Sequence, residues 1–220
     1  MTASVHKPMI AFQGEAGAFS EDAAIELFGS EVINAIELKP CRTFEDLFAS
    51  IDAGHAEYIL LPVENSLIGT IQPAVDLFEQ SSLVVVGEVA IPIRHHLIGC
   101  PGSLFEEIES VESHPAALAQ CRRFFAAQPQ IKPVETEDTA GSVARIIQQG
   151  NRKRAAIAGK RAAELYGGSI LRSNIEDSRD NHTRFLLLAR DNKAIPSGST
   201  NTEPAITEPS AVAPDASVIG

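Results

Sequence analysis

The chain has 220 residues, 44% of them hydrophobic, which is enough for one large domain or two small lobes with real cores. Its formal net charge of −11 and sequence pI of about 5.0 argue against nucleic acid or an anionic membrane as a partner. An anionic ligand would need a locally positive pocket built against that mean field.

Short apolar runs alternate with helix-period segments, the pattern of βαβ units and largely parallel sheets. Residues 8–13 (PMIAFQ) predict a strand, followed by the turn Gly14-Glu15-Ala16-Gly17. A helix then starts near Ser20, with Glu21 and Asp22 in its positively polarised first turn and Gly29 as its stop. Thr43 and Asp46 flank the next helix start, and Gly54 ends it. Residues 57–63 form an apolar strand, and ENSLIGT precedes a helix at 71–79. From 83 to 98 two strand-like pieces break at Pro92, where the chain is expected to cross into a second lobe. There a strand at 108–113 leads into a helix with Pro115 in its first turn. A strand at 131–135 leads into a helix near Thr139. A strand at 154–158 and a helix at 159–166 follow, and the turn Gly167-Gly168 leads to a last strand, 185–189, that returns to the first lobe. The expected lobes are 8–80 with 167–190, and 83–166. Beyond Lys193 the composition turns to Pro, Ser, Thr and Ala, so 195–220 reads as a disordered tail.

Cys41, Cys100 and Cys121 show no metal spacing and read as free thiols of a reducing compartment. The opening MTASVHKPMIAF has no apolar core of signal-peptide length, and no run approaches the roughly 18 apolar residues of a membrane span. The expectation is a cytoplasmic protein with no membrane partner.

Polar clusters recur where a strand ends and a helix begins: GEAGAFS (14–20), PVENSLIGT (62–70), ESHPAALAQC (112–121) and EDTAGS (137–142). A fifth, DNHTRF (180–185), precedes a strand. Helix N-termini expose unpaired N–H groups that hold carboxylates and phosphates, and ligands of open α/β sheets sit beyond the strands' carboxyl ends. Taken singly, each cluster is better read as ordinary helix capping. The GK[ST] ending of a P-loop and the GxGxxG of a dinucleotide site are both missing. His95-His96 reads as structural, since neighbours on a strand face opposite sides.

Together these clusters, with AAIAGKRAAELYG and NIED, resemble prephenate dehydratase domains in order and approximate spacing over residues 8–190. The resemblance implies an α/β, two-lobed, periplasmic-binding-protein-like fold with mostly parallel sheets and the active site in the interlobe cleft. It implies conversion of prephenate, a small dianion, to phenylpyruvate, water and carbon dioxide in phenylalanine biosynthesis, with no cofactor and no metal. A homodimer is common in the family. The catalytic threonine of the family falls on Thr183. Its substrate-contacting positions fall on Asn65, Ser66, Ser113, His114, Thr139 and Ala140. Glu15 and Ala18 depart from the family's more frequent proline and threonine. Members commonly carry a C-terminal ACT domain, which the segment after Lys193 does not resemble.

Arg184 offers a fork for a substrate carboxylate, or else a salt bridge between lobes. Sharing one site with Thr183 would require an irregular turn, because strand neighbours diverge. His114 either carries charge to the substrate or caps the helix at Pro115. Phe185 packs under the substrate ring or into the cleft floor, and Glu64 orients Asn65 or ties down its loop. Two other readings stay open: an arogenate dehydratase with the same chemistry, and a non-catalytic module that binds small anions.

Overall fold

The computed structural model describes residues 7–191. The expected tail at 195–220 lies outside the described residues. The first lobe opens with β1 (Met9–Gln13), α1 (Phe19–Val32), β2 (Glu37–Cys41) and α2 (Phe44–Asp52). It continues through β3 (Tyr58–Asn65), β4 (Gly69–Thr70), α3 (Gln72–Gln80) and β5 (Val84–Pro92). The second lobe contains β6 (His96–Gly99), β7 (Ser110–Ser113), α4 (Pro115–Ala119), α5 (Arg122–Ala127) and β8 (Lys132–Glu135). It ends with α6 (Ala140–Gln149), β9 (Arg154–Ala158), α7 (Lys160–Tyr166) and β10 (Ser169–Arg172), before β11 (His182–Ala189) rejoins the first sheet.

Local chemistry explains most of the boundaries. Thr43 Oγ1 accepts a hydrogen bond from Asp46 N at 3.1 Å and so caps α2, with Glu45 and Asp46 in the first turn. The stop expected at Gly29 is a kink: its φ of +79° breaks the regular helix, and one more turn follows. In α6, Ala140, Val143 and Ile146 recur on one buried face. β3 is buried on both sides through Val63, because helices cover both faces of its sheet.

The first sheet runs β2-β1-β3-β11-β5, with β4 paired to β3, and the second runs β10-β6-β9-β7-β8. Both are mixed rather than mostly parallel. β1 pairs in parallel with β2 and β3, while β11 is antiparallel to β3 and β5. The reason is the returning strand, which enters between β3 and β5 from the second lobe. Strand pairing also moves the lobe boundaries. β5 belongs to the first sheet and β10 to the second, so the crossings fall at 93–95 and 173–181 rather than at 83 and 167. Pro92 marks the outward crossing, as a residue that cannot donate to a ladder. The two crossings are joined by Ile93 N to Asn181 O at 2.8 Å and Ile175 N to His95 O at 2.9 Å.

Two elements have weak sequence signals. β2, an edge strand, contains Pro40 and is largely solvent-facing, so it shows no apolar run. β10 alternates half-buried and exposed positions at the opposite edge of the second sheet. Among the described residues, no helix is long and apolar enough to cross a membrane.

Candidate active site

Strand ends from both lobes and the crossings converge on a cavity of about 270 Å³. The first lobe contributes Gln13, Phe19, Ser20, Asn65, Thr183 and Phe185; the second contributes His114, Gln120 and Thr139; and the outward crossing contributes His95.

The loop after β1 brings α1 to this cavity. Gly14 and Gly17 adopt φ of +118° and +83°, conformations open to glycine. Ser20 Oγ ties α1 back to Gln13 O at 3.0 Å. No side chain caps α1, so its first turn presents backbone N–H groups beside Phe19 and Ser20. The other two helix starts are occupied. His114 Nδ1 accepts from Ala116 N at 3.2 Å, which makes His114 the cap of α4 as well as a wall residue. Asp138 Oδ1 accepts from Gly141 N and so places a carboxylate on the N-terminus of α6.

Thr183 sits on β11 opposite Asn65 of β3. Asn65 Oδ1 accepts from Leu67 N at 3.0 Å and Ile68 N at 3.2 Å, which fixes the amide orientation. Its two Nδ2 protons are then shared among Thr183 Oγ1 at 3.0 Å, Asn181 Oδ1 at 2.8 Å and His182 O at 3.1 Å, one of them bifurcated. With an incoming bond on its oxygen, Thr183 keeps its own O–H for a group in the cavity.

The other expected contacts are placed elsewhere. Arg184 leaves the opposite face of β11 and pairs with Glu64 at 3.3 Å and Glu88 at 3.6 Å, stapling β3, β11 and β5 outside the cavity. The ladder does shift register, but between Arg184 and Phe185, so Thr183 and Arg184 keep ordinary strand alternation. The pairing that ties down Glu64 is therefore to Arg184, within one lobe. Ser66 Oγ donates to Asp180 O at 2.6 Å and accepts from His182 N at 3.0 Å, closing the loop from behind. Ser113 is fully buried and donates to Ile157 O at 2.7 Å, holding β7 to β9. Ala140 packs in the second lobe's core. Phe185, 2% exposed, joins the first lobe's core and forms the cavity floor.

Four polar wall residues carried no decisive signal of their own: Gln13, Ser20, His95 and Gln120. His95 read as a strand residue beside His96. It lies instead at the crossing just before β6, with Nε2 2.8 Å from Gln120 Oε1 and its ring edge-on to Phe19 at 5.7 Å. His96 turns away and accepts from Asn174 N at 3.3 Å.

Contacts between the lobes close around the cavity. Arg161 of α7 pairs with Glu21 of α1, Tyr166 donates its O–H to Ala16 O at 2.8 Å, and Arg42 meets Glu137 at 2.9 Å. A Cβ on Gly159 would lie 3.0 Å from the Phe19 ring, and one on Gly17 3.0 Å from Ala162 Cα, so the lobes meet at glycine.

Two α/β lobes with two crossings and a cavity between them define a two-lobed, solute-binding-protein-like fold with its site in the cleft. Residues 10–193 match the prephenate dehydratase family model, and the chain belongs to that family. It is 37% identical over 198 residues to the bifunctional chorismate mutase/prephenate dehydratase of Aquifex aeolicus, a match covering 89% of this chain and 52% of that protein. It is 40% identical to arogenate dehydratase/prephenate dehydratase 1 of Arabidopsis thaliana, over 84% of this chain and 46% of that one. The chain thus spans about half the length of the curated relatives it matches. Among solved structures, the prephenate dehydratase of Arthrobacter aurescens in complex with L-Phe superposes with TM-score 0.75 at 28% identity. That match covers 86% of this chain and 62% of the other. The quorum-quenching acylase GqqA gives TM-score 0.73 at 35% identity, covering 86% and 66%.

Proposed function

We propose that this chain is a carbon–oxygen lyase that converts prephenate to phenylpyruvate, water and carbon dioxide in phenylalanine biosynthesis. The Asn65–Thr183 pair carries the reading: a cleft-lining hydroxyl that accepts from Asn65 and keeps its own proton to donate, in a chain of this family. Loss of carbon dioxide leaves the C–C electron pair in the ring, which becomes aromatic as the C–O bond opposite breaks. Hydroxide departs with the C–O electron pair and takes a proton from solvent to become water. Thr183 is too weak an acid to hand over its proton freely. It stabilises charge growing on the departing oxygen, an interaction stronger in the transition state than in the ground state. The uncapped first turn of α1 is the anion anchor, since Arg184 lies outside the cavity and α6 is already capped by Asp138. Phe185 supports the ring.

One observation favours a second reading, arogenate. Glu15, Glu137 and Asp138 add carboxylates to the wall, whereas no Lys or Arg among the described residues lines it. An ammonium group would match that field better than the ketone it replaces. Thr183 held as a donor speaks against a non-catalytic anion module. The compartment we propose is the cytoplasm, consistent with the free buried Cys41, Cys100 and Cys121. Nucleic acid and membrane are not proposed as partners, and the proposed assembly is a homodimer, to be checked by sedimentation of the full chain. Purified chain supplied with prephenate and arogenate side by side, with aromatic product and carbon dioxide followed together, tests the activity. Turnover of prephenate is expected; absence of both products with either substrate would sink the proposal.

A further inference from the structure

An unbroken file of side-chain amides runs from the first lobe, through the returning crossing, into the second. Asn65 Nδ2 donates to Asn181 Oδ1 at 2.8 Å, and Asn181 Nδ2 donates to Gln120 Oε1 at 2.9 Å. Gln120 Oε1 in turn lies 2.8 Å from His95 Nε2. The direction of every bond follows from one end. Two backbone N–H groups point at Asn65 Oδ1, and backbone N–H cannot reverse, so Asn65 must present its NH₂ to Asn181. Asn181 then meets it with oxygen and turns its own NH₂ to Gln120. Gln120 faces His95 with oxygen, and an oxygen there requires a proton on Nε2. The loop at Leu67 and Ile68 therefore dictates the tautomer of a histidine in the other wall.

The consequence falls on the second ring nitrogen. With Nε2 protonated, Nδ1 carries a lone pair. It is buried, and among the described residues no hydrogen-bond partner reaches it, in a residue that is 2% exposed and lines the cavity. A buried acceptor left unmatched is costly, and native structures rarely leave one without a purpose. The charged and titratable neighbours are Glu176, which accepts from His95 N at 2.9 Å, and His96 beside it. Glu15, Glu137, Asp138 and His114 line the same cavity. Burial lowers the basicity of His95, opposed by the bond to Gln120 and the charge of Glu176.

We propose that His95 recognises the ligand: held by the amide file as its Nε2–H tautomer, it offers Nδ1 as an acceptor to a hydrogen-bond donor of the bound substrate. This rests on the dehydratase reading and deepens it. With both carboxylates ionised, prephenate has one donor, its ring hydroxyl; arogenate adds an ammonium. A hydroxyl that donates a hydrogen bond to Nδ1 turns its oxygen lone pairs toward the Thr183 hydroxyl, the orientation departure needs. The bond is made in the ground state and does not strengthen as hydroxide leaves, so it should act on binding more than on the chemical step.

The test combines imidazole ¹⁵N–¹H spectroscopy with two variants of the full chain. The free protein should show His95 protonated at Nε2 and bare at Nδ1. A non-reacting prephenate analogue that keeps the hydroxyl should shift the Nδ1 resonance, and its deoxy counterpart should not. A deoxy analogue carrying the ammonium should shift it only if the amine is the donor. His95→Gln keeps a donor for Gln120 and removes Nδ1, so KM should rise roughly five- to tenfold with a smaller change in kcat. His95→Phe breaks the file as well and should also lower kcat. A proton found on Nδ1, a silent resonance with every bound analogue, or an unchanged KM in His95→Gln overturns the proposal. Turnover without the shift refutes His95 recognition and leaves the dehydratase reading intact. A shift without turnover does the reverse.

Discussion

Thr183 and Arg184 leave opposite faces of β11, and one step of strand alternation gives them unrelated work. Thr183→Ala should lower kcat by roughly 10²–10⁴ with a modest change in KM, and Thr183→Ser should restore much of the activity. An Ala variant that keeps more than about a tenth of kcat by steady-state rates would remove Thr183 from the mechanism. Asn65→Asp probes the same bond from the other side. A carboxylate would accept the Thr183 proton instead of donating to its oxygen, and kcat should fall by a comparable factor without unfolding. For Arg184→Ala the expectation is a KM within about twofold of the parent. Its half-exposed pairs to Glu64 and Glu88 should cost at most about 1 kcal/mol of stability by urea titration. A large rise in KM would restore Arg184 to the anion site.

The helix α1 shows how an element's burial and its electrostatics pull apart. Glu21 and Asp22 belong in a first turn by charge, yet packing buries Glu21 and half-buries Asp22. Burial raises the Asp22 pKa from 3.8 to about 6, with Glu21 and Glu164 adding to it and Arg161 opposing. A proton then binds the folded chain more tightly than the unfolded one. The resulting stabilisation is full below 3.8 and is lost as pH rises through about 6. Asp22→Asn should therefore raise Tm at pH 8 and change it little near pH 4. Equal Tm gains at both values, measured by calorimetry, would contradict this. At the same scale, α2, α4, α6 and α7 begin close to where capping and proline patterns put them. β2 and β10 were not legible, because half-exposed edge strands carry no apolar run to find.

At the scale of the molecule, the two lobes meet where side chains are smallest. Gly159 precedes α7 in an extended conformation that alanine tolerates, and its missing Cβ makes room for the Phe19 ring. Gly159→Ala should hold the lobes apart without straining either, lowering kcat/KM roughly ten- to a hundredfold through lost alignment. Small-angle scattering should show a larger radius of gyration than the parent, with little change in Tm. An unaltered profile together with full activity would mean that the contact has no part in the cycle.

Local rules were enough for the helix–strand alternation, the positions of most helix starts, and the placement of Asn65, His114 and Thr139 at strand–helix junctions; Thr183, marked by the family resemblance, and Phe185 lie inside β11. Those junctions are legible because capping, turn and period-two signals act over a few residues. The partners of Arg184, Ser66 and Ser113 were not legible, nor was the true extent of each lobe. These depend on which strand lies next to which, and β11 lies between β3 and β5 although 89 residues lie between it and β5 and 116 between it and β3. His95 and Gln120 gained their place in the same way. Their polarity is set through Asn181 by the backbone of a loop in the other lobe, a constraint that exists only once the two crossings have brought the lobes together.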